Sequence, residues 1–286
     1  MKFAFIAKNA SKQLDVVFMC RMLDVSTSGY YASRTRRISQ RQREDLELVP
    51  LIHAEFRSHP RGCGSRMVLG ALRHRGVATS RKRVCRLMAE EKLRPRLKRR
   101  FIRTTHSDHD RQVAKNIVNR NFSVGKPNTA WASDFTYIHT KSGWAYLAVV
   151  LDLGSRKVVG WSVDSTMEER LVLRALDQAL RERRPQGNLV HHSDRGVQYA
   201  SNAYQKRLAQ HGIVCSMSRK GNCWDNACVE SFFSTLKREL PNDHVFQDVA
   251  DAERTLFKYI EGYYNTRRPH SALEYRAPAA HERLVT

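Results

Sequence analysis

Few acids for its many bases, only scattered cysteines and no long apolar run: each shortage in this sequence removes a class of protein. The longest uninterrupted apolar stretch runs from Trp144 to Leu151, far short of the roughly 20 residues that span a bilayer. Near the N-terminus only Phe3 to Ala7 separate Lys2 from Lys8, too little for the apolar segment of a secretory signal, so the chain is expected in the cytoplasm. The six cysteines, Cys20, Cys63, Cys85, Cys215, Cys223 and Cys228, form no C-x-x-C pair. Buried thiols are therefore expected rather than disulfides or a structural zinc. Neither GxxxxGK[ST] nor GxGxxG occurs, so no requirement for a nucleoside triphosphate is expected.

The shortage of acid is the most informative. Against 50 Lys and Arg there are 28 Asp and Glu, a net charge of +22, which repels itself unless a polyanion lies nearby. Residues 1–122 hold 28 basic and 10 acidic side chains, residues 123–286 hold 22 and 18. The excess thus sits in the first part of the chain, and by itself it does not choose between DNA and RNA.

What is present divides by period. In a first helical segment, residues 1–44, Leu14, Val17, Phe18 and Met22 recur at helical spacing. Over 45–102 three helices are expected, with Leu48, Leu51, Ile52 and Phe56 on the first, Val68, Leu69 and Leu72 on the second, and Val84, Leu87 and Met88 on the third. Gly76 breaks the second and Thr79 or Ser80 caps the third. The short connection has the helix-turn-helix layout, which places Arg81, Lys82, Arg83 and Arg86 on the exposed side of a helix suited to the major groove. A plain solvated hairpin reads similarly. The basic run RPRLKRR (94–100) leads into a polar linker, 103–122.

From residue 123 the period becomes strand-like. TAWASDFTYIHT, GWAYLAVVLD and KVVGWSV read as an antiparallel meander. Then come a helix over 166–183, a strand GNLVHHSD, a helix NAYQKRLAQHG, a strand IVCSM and a long helix over 225–240. That order is the one of an α/β, ribonuclease-H-like core over 123–240, followed by a helical extension over 241–286.

Three acids stand out within it. Asp134 lies mid-strand, on the face opposite Trp131, Phe135 and Tyr137, where an unpaired carboxylate is costly. Asp194 ends the fourth strand before Arg195-Gly196, on the side of His192, which reads either as orienting it or as a core residue. Glu230 falls on the long helix, with Asn226 a turn before and Lys237 two turns after. Converging at the open end of the sheet, the three would bind Mg²⁺, or Mn²⁺, as a pair of ions for phosphoryl transfer. Asp152 closes a strand and reads as a turn residue.

Asp134 in WASDFTY, Asp194 in HSDRGVQY and Glu230 in GNCWDNACVESFFSTLKRE, with 35 residues between the last two, resemble the DDE triad of the retroviral-integrase superfamily. With Lys237 and the tail YYNTRRPHSALEYRAP, the chain is similar to transposases encoded by the second reading frame of the insertion-sequence-three family. The resemblance covers residues 45 to 280. It implies binding to an element's terminal inverted repeats, Mg²⁺-dependent nicking at the 3′ end and strand transfer by the freed 3′-hydroxyl. It further implies a homo-oligomer on double-stranded DNA in the bacterial nucleoid, and fusion to an upstream-frame protein. Lys237, Arg267 and Arg268 are expected at DNA phosphates. A purely DNA-binding regulator and an RNA–DNA hybrid nuclease on the same fold are the rival readings.

Overall fold

The computed structural model describes residues 2–10, 14–35, 38–96, 114–119, 121, 124–219, 223–240 and 245–285. The expected linker over 103–122, apart from 114–119 and 121, lies outside the described residues, as do positions 97–100 of the basic run. Two compact units divide the chain, Met1–Leu51 and Ile52–Thr286.

In the first unit α1 (Lys2–Ala10), α2 (Val16–Met22) and α3 (Thr27–Thr35) gather around Ile6, Met19, Cys20 and Tyr30. The carboxylate of Asp15 caps α2 by accepting the amides of Val17 and Phe18. Leu14, Val17, Phe18 and Met22 share helical spacing as expected, yet all four are exposed. The adjacent pair Met19 and Cys20 turns inward instead.

Helix α4 (Gln40–Arg57) leads into the second unit, where α5 (Ser65–His74) and α6 (Arg81–Glu90) form the hairpin. The expected set, Val68, Leu69, Leu72, Val84, Leu87 and Met88, is buried. Gly76 ends α5 in the left-handed region at φ +75, which lets the Val77 amide reach back 3.0 Å to the Leu72 carbonyl. Ser80, rather than Thr79, caps α6 by accepting the Arg83 amide.

The sheet holds β1 (Ala130–Thr140), β2 (Gly143–Asp152), β3 (Val158–Asp164), β4 (Val190–Ser193) and β5 (Val214–Met217) in the order β3-β2-β1-β4-β5. β1, β2 and β3 pair antiparallel, while β4 and β5 join parallel to β1. Because side chains alternate, β1 serves two cores. Ala130, Ala132 and Ile138 meet α9 (Ala227–Glu239) and α10 (Val249–Tyr259) through Val229, Phe232, Leu236 and Leu256. Trp131 faces the other layer, α7 (Glu169–Arg183) and α8 (Asn202–Gln210), with Leu171, Leu176 and Tyr204. β2, central and covered on both sides, is the nearly continuous apolar run. At Gly160 of β3 a Cβ would stand 2.1 Å from the Ala175 carbonyl, so glycine is what lets α7 pack this closely.

Two helix starts differ from expectation. α7 begins at Glu169, not Thr166, because Asp164 accepts the Ser165 amide and ion-pairs with Arg170 and Arg174, turning the chain first. α9 is preceded by a 3₁₀ turn, Cys223–Asn226. The 241–286 extension is also less separate than its sequence implies. After α10 a π turn, Ile260–Tyr264, brings Asn265 against the edge of β3, where its amide both donates to and accepts from Val158 at 3.0 Å. The tail, ending in α11 (Pro278–Val285), also touches the hairpin and the turn before it: His74 Nε2 lies 2.7 Å from the Glu274 carbonyl, and His59 Nδ1, between α4 and α5, lies 2.7 Å from the Tyr263 hydroxyl. Cys85 is exposed, unlike the buried Cys20 and Cys63, and the Cys223 side chain lies outside the described residues.

Candidate active site

The parallel ladder between β1 and β4 ends at Ser133 opposite Ser193. Asp134 is the next residue of β1 and Asp194 the first after β4, so the register brings the two acids to neighbouring positions on strands that run ~5 Å apart. Beyond that point β1 continues to Thr140 without β4, which opens the sheet there. Asp134 accepts its neighbour Phe135's amide at 2.8 Å, and Asp194 accepts the Gly196 amide at 2.9 Å, closing a tight turn. Arg195 Nε then donates 2.7 Å to the Ser218 carbonyl past the end of β5, which pins that turn to the next strand.

Electrostatics marks the pair. Burial raises the Asp134 carboxyl well above the ordinary carboxylate range, the Asp194 charge raises it further, and Glu230 adds to this. Burial also raises Glu230, on the first turn of α9. Lys237, two turns on, donates to Thr136 Oγ1 at 2.6 Å, and its ammonium lies 5.8 Å from the centre of the Tyr137 ring. Burial lowers its pKa while the Asp134 charge pulls it back up.

An oxygen-only set of mutually repelling carboxylates suits a hard divalent cation. Asp134 and Asp194 fit one as two ligands. Glu230 acts on the same site, its charge raising Asp134 together with that of Asp194, while among the described residues no group of three His, Cys, Asp or Glu side chains is gathered as a metal cluster. Glu230 is carried by a separate element, α9, and is exposed.

Supporting residues were harder to read from sequence. Asp225 is fully buried, gripped by Arg219 through Nε at 2.9 Å and Nη2 at 2.8 Å and by Asn116 Nδ2 at 2.8 Å. Asn226 Nδ2 donates to the Ser133 carbonyl at 3.2 Å, tying the start of α9 to the residue before Asp134. A carboxylate and an amide just ahead of an apolar helix were the available signal. Asp152 is fully engaged in its turn, accepting from Gly154, Ser155, Asn128 and the Trp131 indole.

His192 is a core residue, not a partner of Asp194: its ring nitrogens lie 2.9 Å from Ser216 Oγ and 3.2 Å from Ser218 Oγ. His191 faces the other layer, 2.8 Å from Ser133 Oγ and 3.0 Å from the Tyr204 hydroxyl. Burial pushes His191 down to about 3, with the His192 charge adding to the shift, and burial pushes His192 down to about 4 against the pull of Asp225. Both are neutral in the fold, so below about pH 6.5 the unfolded chain binds protons that the folded one refuses. Stability contributed above that pH is lost as pH falls, at up to about 1.4 kcal/mol per pH unit for each ring. Asp134, raised, returns part of this as it takes up its own proton. Urea midpoints should fall between pH 6.5 and 5.5; a flat profile would mean that the rings are charged in the fold.

Among the expected DNA contacts, Arg81 and Lys82 are exposed at the start of α6, whereas Arg86 ion-pairs with Glu90 at 3.0 Å on its own helix. Arg267 is exposed. The expectation for Arg268 is corrected: its guanidinium is 13% exposed and turns inward onto Glu239, Nε and Nη2 both donating at 2.9–3.0 Å.

An HTH-like domain family matches residues 42–101, and two integrase core domain families match residues 125–223 and 211–278. The transposase for insertion sequence element IS904 of Lactococcus lactis subsp. lactis (strain IL1403) is 43% identical over 87% of this chain and 98% of its own length. Transposase InsF for insertion sequence IS3A of Escherichia coli (strain K12) is 39% identical over 95% of this chain and 94% of its own. The HTLV-2 integrase catalytic core domain, solved with magnesium, is 17% identical with a TM-score of 0.41 over 55% of this chain and 97% of that one, too distant to bear on function.

Proposed function

This chain belongs to the insertion-sequence-three family of transposases, and we propose that it binds its element's terminal inverted repeats, nicks each 3′ end, and transfers the freed strand. In the first step water attacks a phosphodiester, forming one P–O bond as another breaks and leaving a 3′-hydroxyl. In the second that hydroxyl attacks a phosphodiester of the target. No covalent bond to the protein is made in either step.

The observation that carries this reading is the placement of Asp134 and Asp194 on neighbouring register positions where the sheet opens. A pair of Mg²⁺ ions, or Mn²⁺ in their place, would activate the attacking oxygen and neutralise the departing one. Asp134 and Asp194, with Glu230 from α9, would hold that charge. Lys237 sets an ammonium beside the scissile phosphate, exchanging Thr136 for a phosphate oxygen. Arg81, Lys82, Arg83 and Arg86, carried by residues 45–102, hold the duplex backbone together with Arg267. The working form is a homo-oligomer on double-stranded DNA, and fusion to an upstream-frame product extends its reach to the ends.

The test incubates the purified chain and Mg²⁺ with duplex carrying an element end, with unrelated duplex, and with an RNA–DNA hybrid. Cleavage at the 3′ end of the element duplex, followed by joined products, is expected. Degradation of the hybrid with the duplex left whole would overturn the reading in favour of a hybrid nuclease. Tight end binding without any cleavage, by this chain or by its fusion to the upstream product, would leave a regulator.

A further inference from the structure

Tyr199 sits in the turn five residues after Asp194 and is 1% exposed. Its backbone is held on both sides, the amide donating to the Gly196 carbonyl at 3.0 Å and the carbonyl accepting from Gln205 Nε2 at 2.7 Å. Its ring packs edge-on against Tyr204, centroids 5.3 Å apart at 89°. Yet its hydroxyl is buried with no hydrogen-bond partner, although Tyr204 beside it has one in His191.

A buried hydroxyl without a partner is costly, and phenylalanine would fill the same space without that cost. What lies near it is the acidic pair. At Gly196 a Cβ would stand 3.0 Å from Asp194 Oδ1 and 3.7 Å from Tyr199 Cδ2, so the carboxylate and the ring edge flank the same small gap. Burial holds the proton on the phenol, and Asp134, Tyr204 and Asp194 add to this. The Tyr199 ring thus borders the same gap as Asp194 Oδ1 while its buried hydroxyl is a donor without an acceptor.

We infer that Tyr199 is a positioning residue, whose hydroxyl donates to the Asp134–Asp194 carboxylate pair when a divalent cation draws the two together, fixing the ligand oxygens. This rests on the metal-binding reading of that pair. The hydroxyl touches no substrate; it acts through the carboxylates, and its lack of a partner belongs to the cation-free arrangement. Groups that orient ligands in this way typically change metal affinity by about 10- to 100-fold when removed.

The test is Tyr199→Phe, which keeps the ring and removes one oxygen. Three quantities are read on the full chain: the melting temperature without metal, the Mg²⁺ concentration giving half of the metal-induced melting shift, and affinity for end-containing duplex without metal. Relief of the unpartnered hydroxyl should raise the metal-free Tm by about 2–4 °C. The half-saturating Mg²⁺ should rise by about tenfold or more, with DNA affinity unchanged. A raised Tm with unchanged Mg²⁺ response overturns the positioning role and leaves the metal pair standing. A lowered Tm overturns it as well, since the hydroxyl then has a partner within the metal-free fold. Absence of any Mg²⁺ shift in the unmodified chain removes the metal-binding reading first, and this inference with it.

Discussion

Asp194→Asn should leave binding of element ends unchanged while lowering nicking and strand transfer on the order of 10⁴-fold. Asparagine keeps a side-chain oxygen able to accept the Gly196 amide, so the turn that presents it survives. What is lost is one negative charge and one cation ligand. The same change should stabilise the metal-free protein. Asp134 is raised by burial first and then by Asp194, and a carboxyl raised in the fold contributes stability below its ordinary range that is lost as pH rises through its folded value. At neutral pH the pair therefore destabilises the chain, and neutralising Asp194 removes part of that repulsion. Scanning fluorimetry should show a higher metal-free Tm for the variant, and a Mg²⁺-induced rise in the unmodified chain alone. Undiminished strand transfer by Asp194→Asn would sink the assignment of the site.

Glu239→Gln should cost about 3–5 kcal/mol of folding stability, the range for stranding a buried partner, lowering Tm by about 10 °C or more. Burial disfavours the charge on Arg268, but hydrogen bonds to Glu239 and its charge raise the guanidinium above its ordinary range. Both side chains are only 13% exposed, so solvent does not take over the lost contacts. Glu239 Oε2 also accepts from the Tyr259 hydroxyl at 2.8 Å, which binds the end of α9 to α10. Replacing the pair together, Glu239→Gln with Arg268→Met, should restore much of the loss, because no lone charge then remains buried. Arg267→Ala provides the contrast: exposed, it should leave Tm unchanged and weaken DNA binding with a shallower salt dependence. If Glu239→Gln unfolds at the temperature of the parent, Arg268 is not held by that pair.

These two neighbours show where sequence reading stops. Arg267 and Arg268 are the same residue type in one basic motif, and composition assigns both to DNA. The π turn ahead of them sets their directions, and that turn depends on Asn265 finding the edge of β3, a contact more than a hundred residues away in the chain. Strands β1 and β2, by contrast, were legible almost to the residue, because strands covered on both faces carry apolar side chains along most of their length. α2 misled for a related reason. Exposed Val17, Phe18 and Met22, with Leu14 just before the helix, keep the period that ordinarily marks a buried stripe, while the small core of that unit takes Met19 and Cys20.

The acids divide in the same way. Local pattern alone determined that Asp134 interrupts a strand, that Asp194 ends one and that Glu230 rides an amphipathic helix, since each depends only on neighbours in the chain. Which carboxylates come together was decided by parallel pairing, which aligned Ser133 with Ser193 and so set Asp134 beside Asp194. Tertiary packing likewise decided that Asp152 is consumed by its own turn and that His192 belongs to the core. Burial and charge repulsion act between residues far apart in sequence, and only the folded chain brings those residues within range of each other.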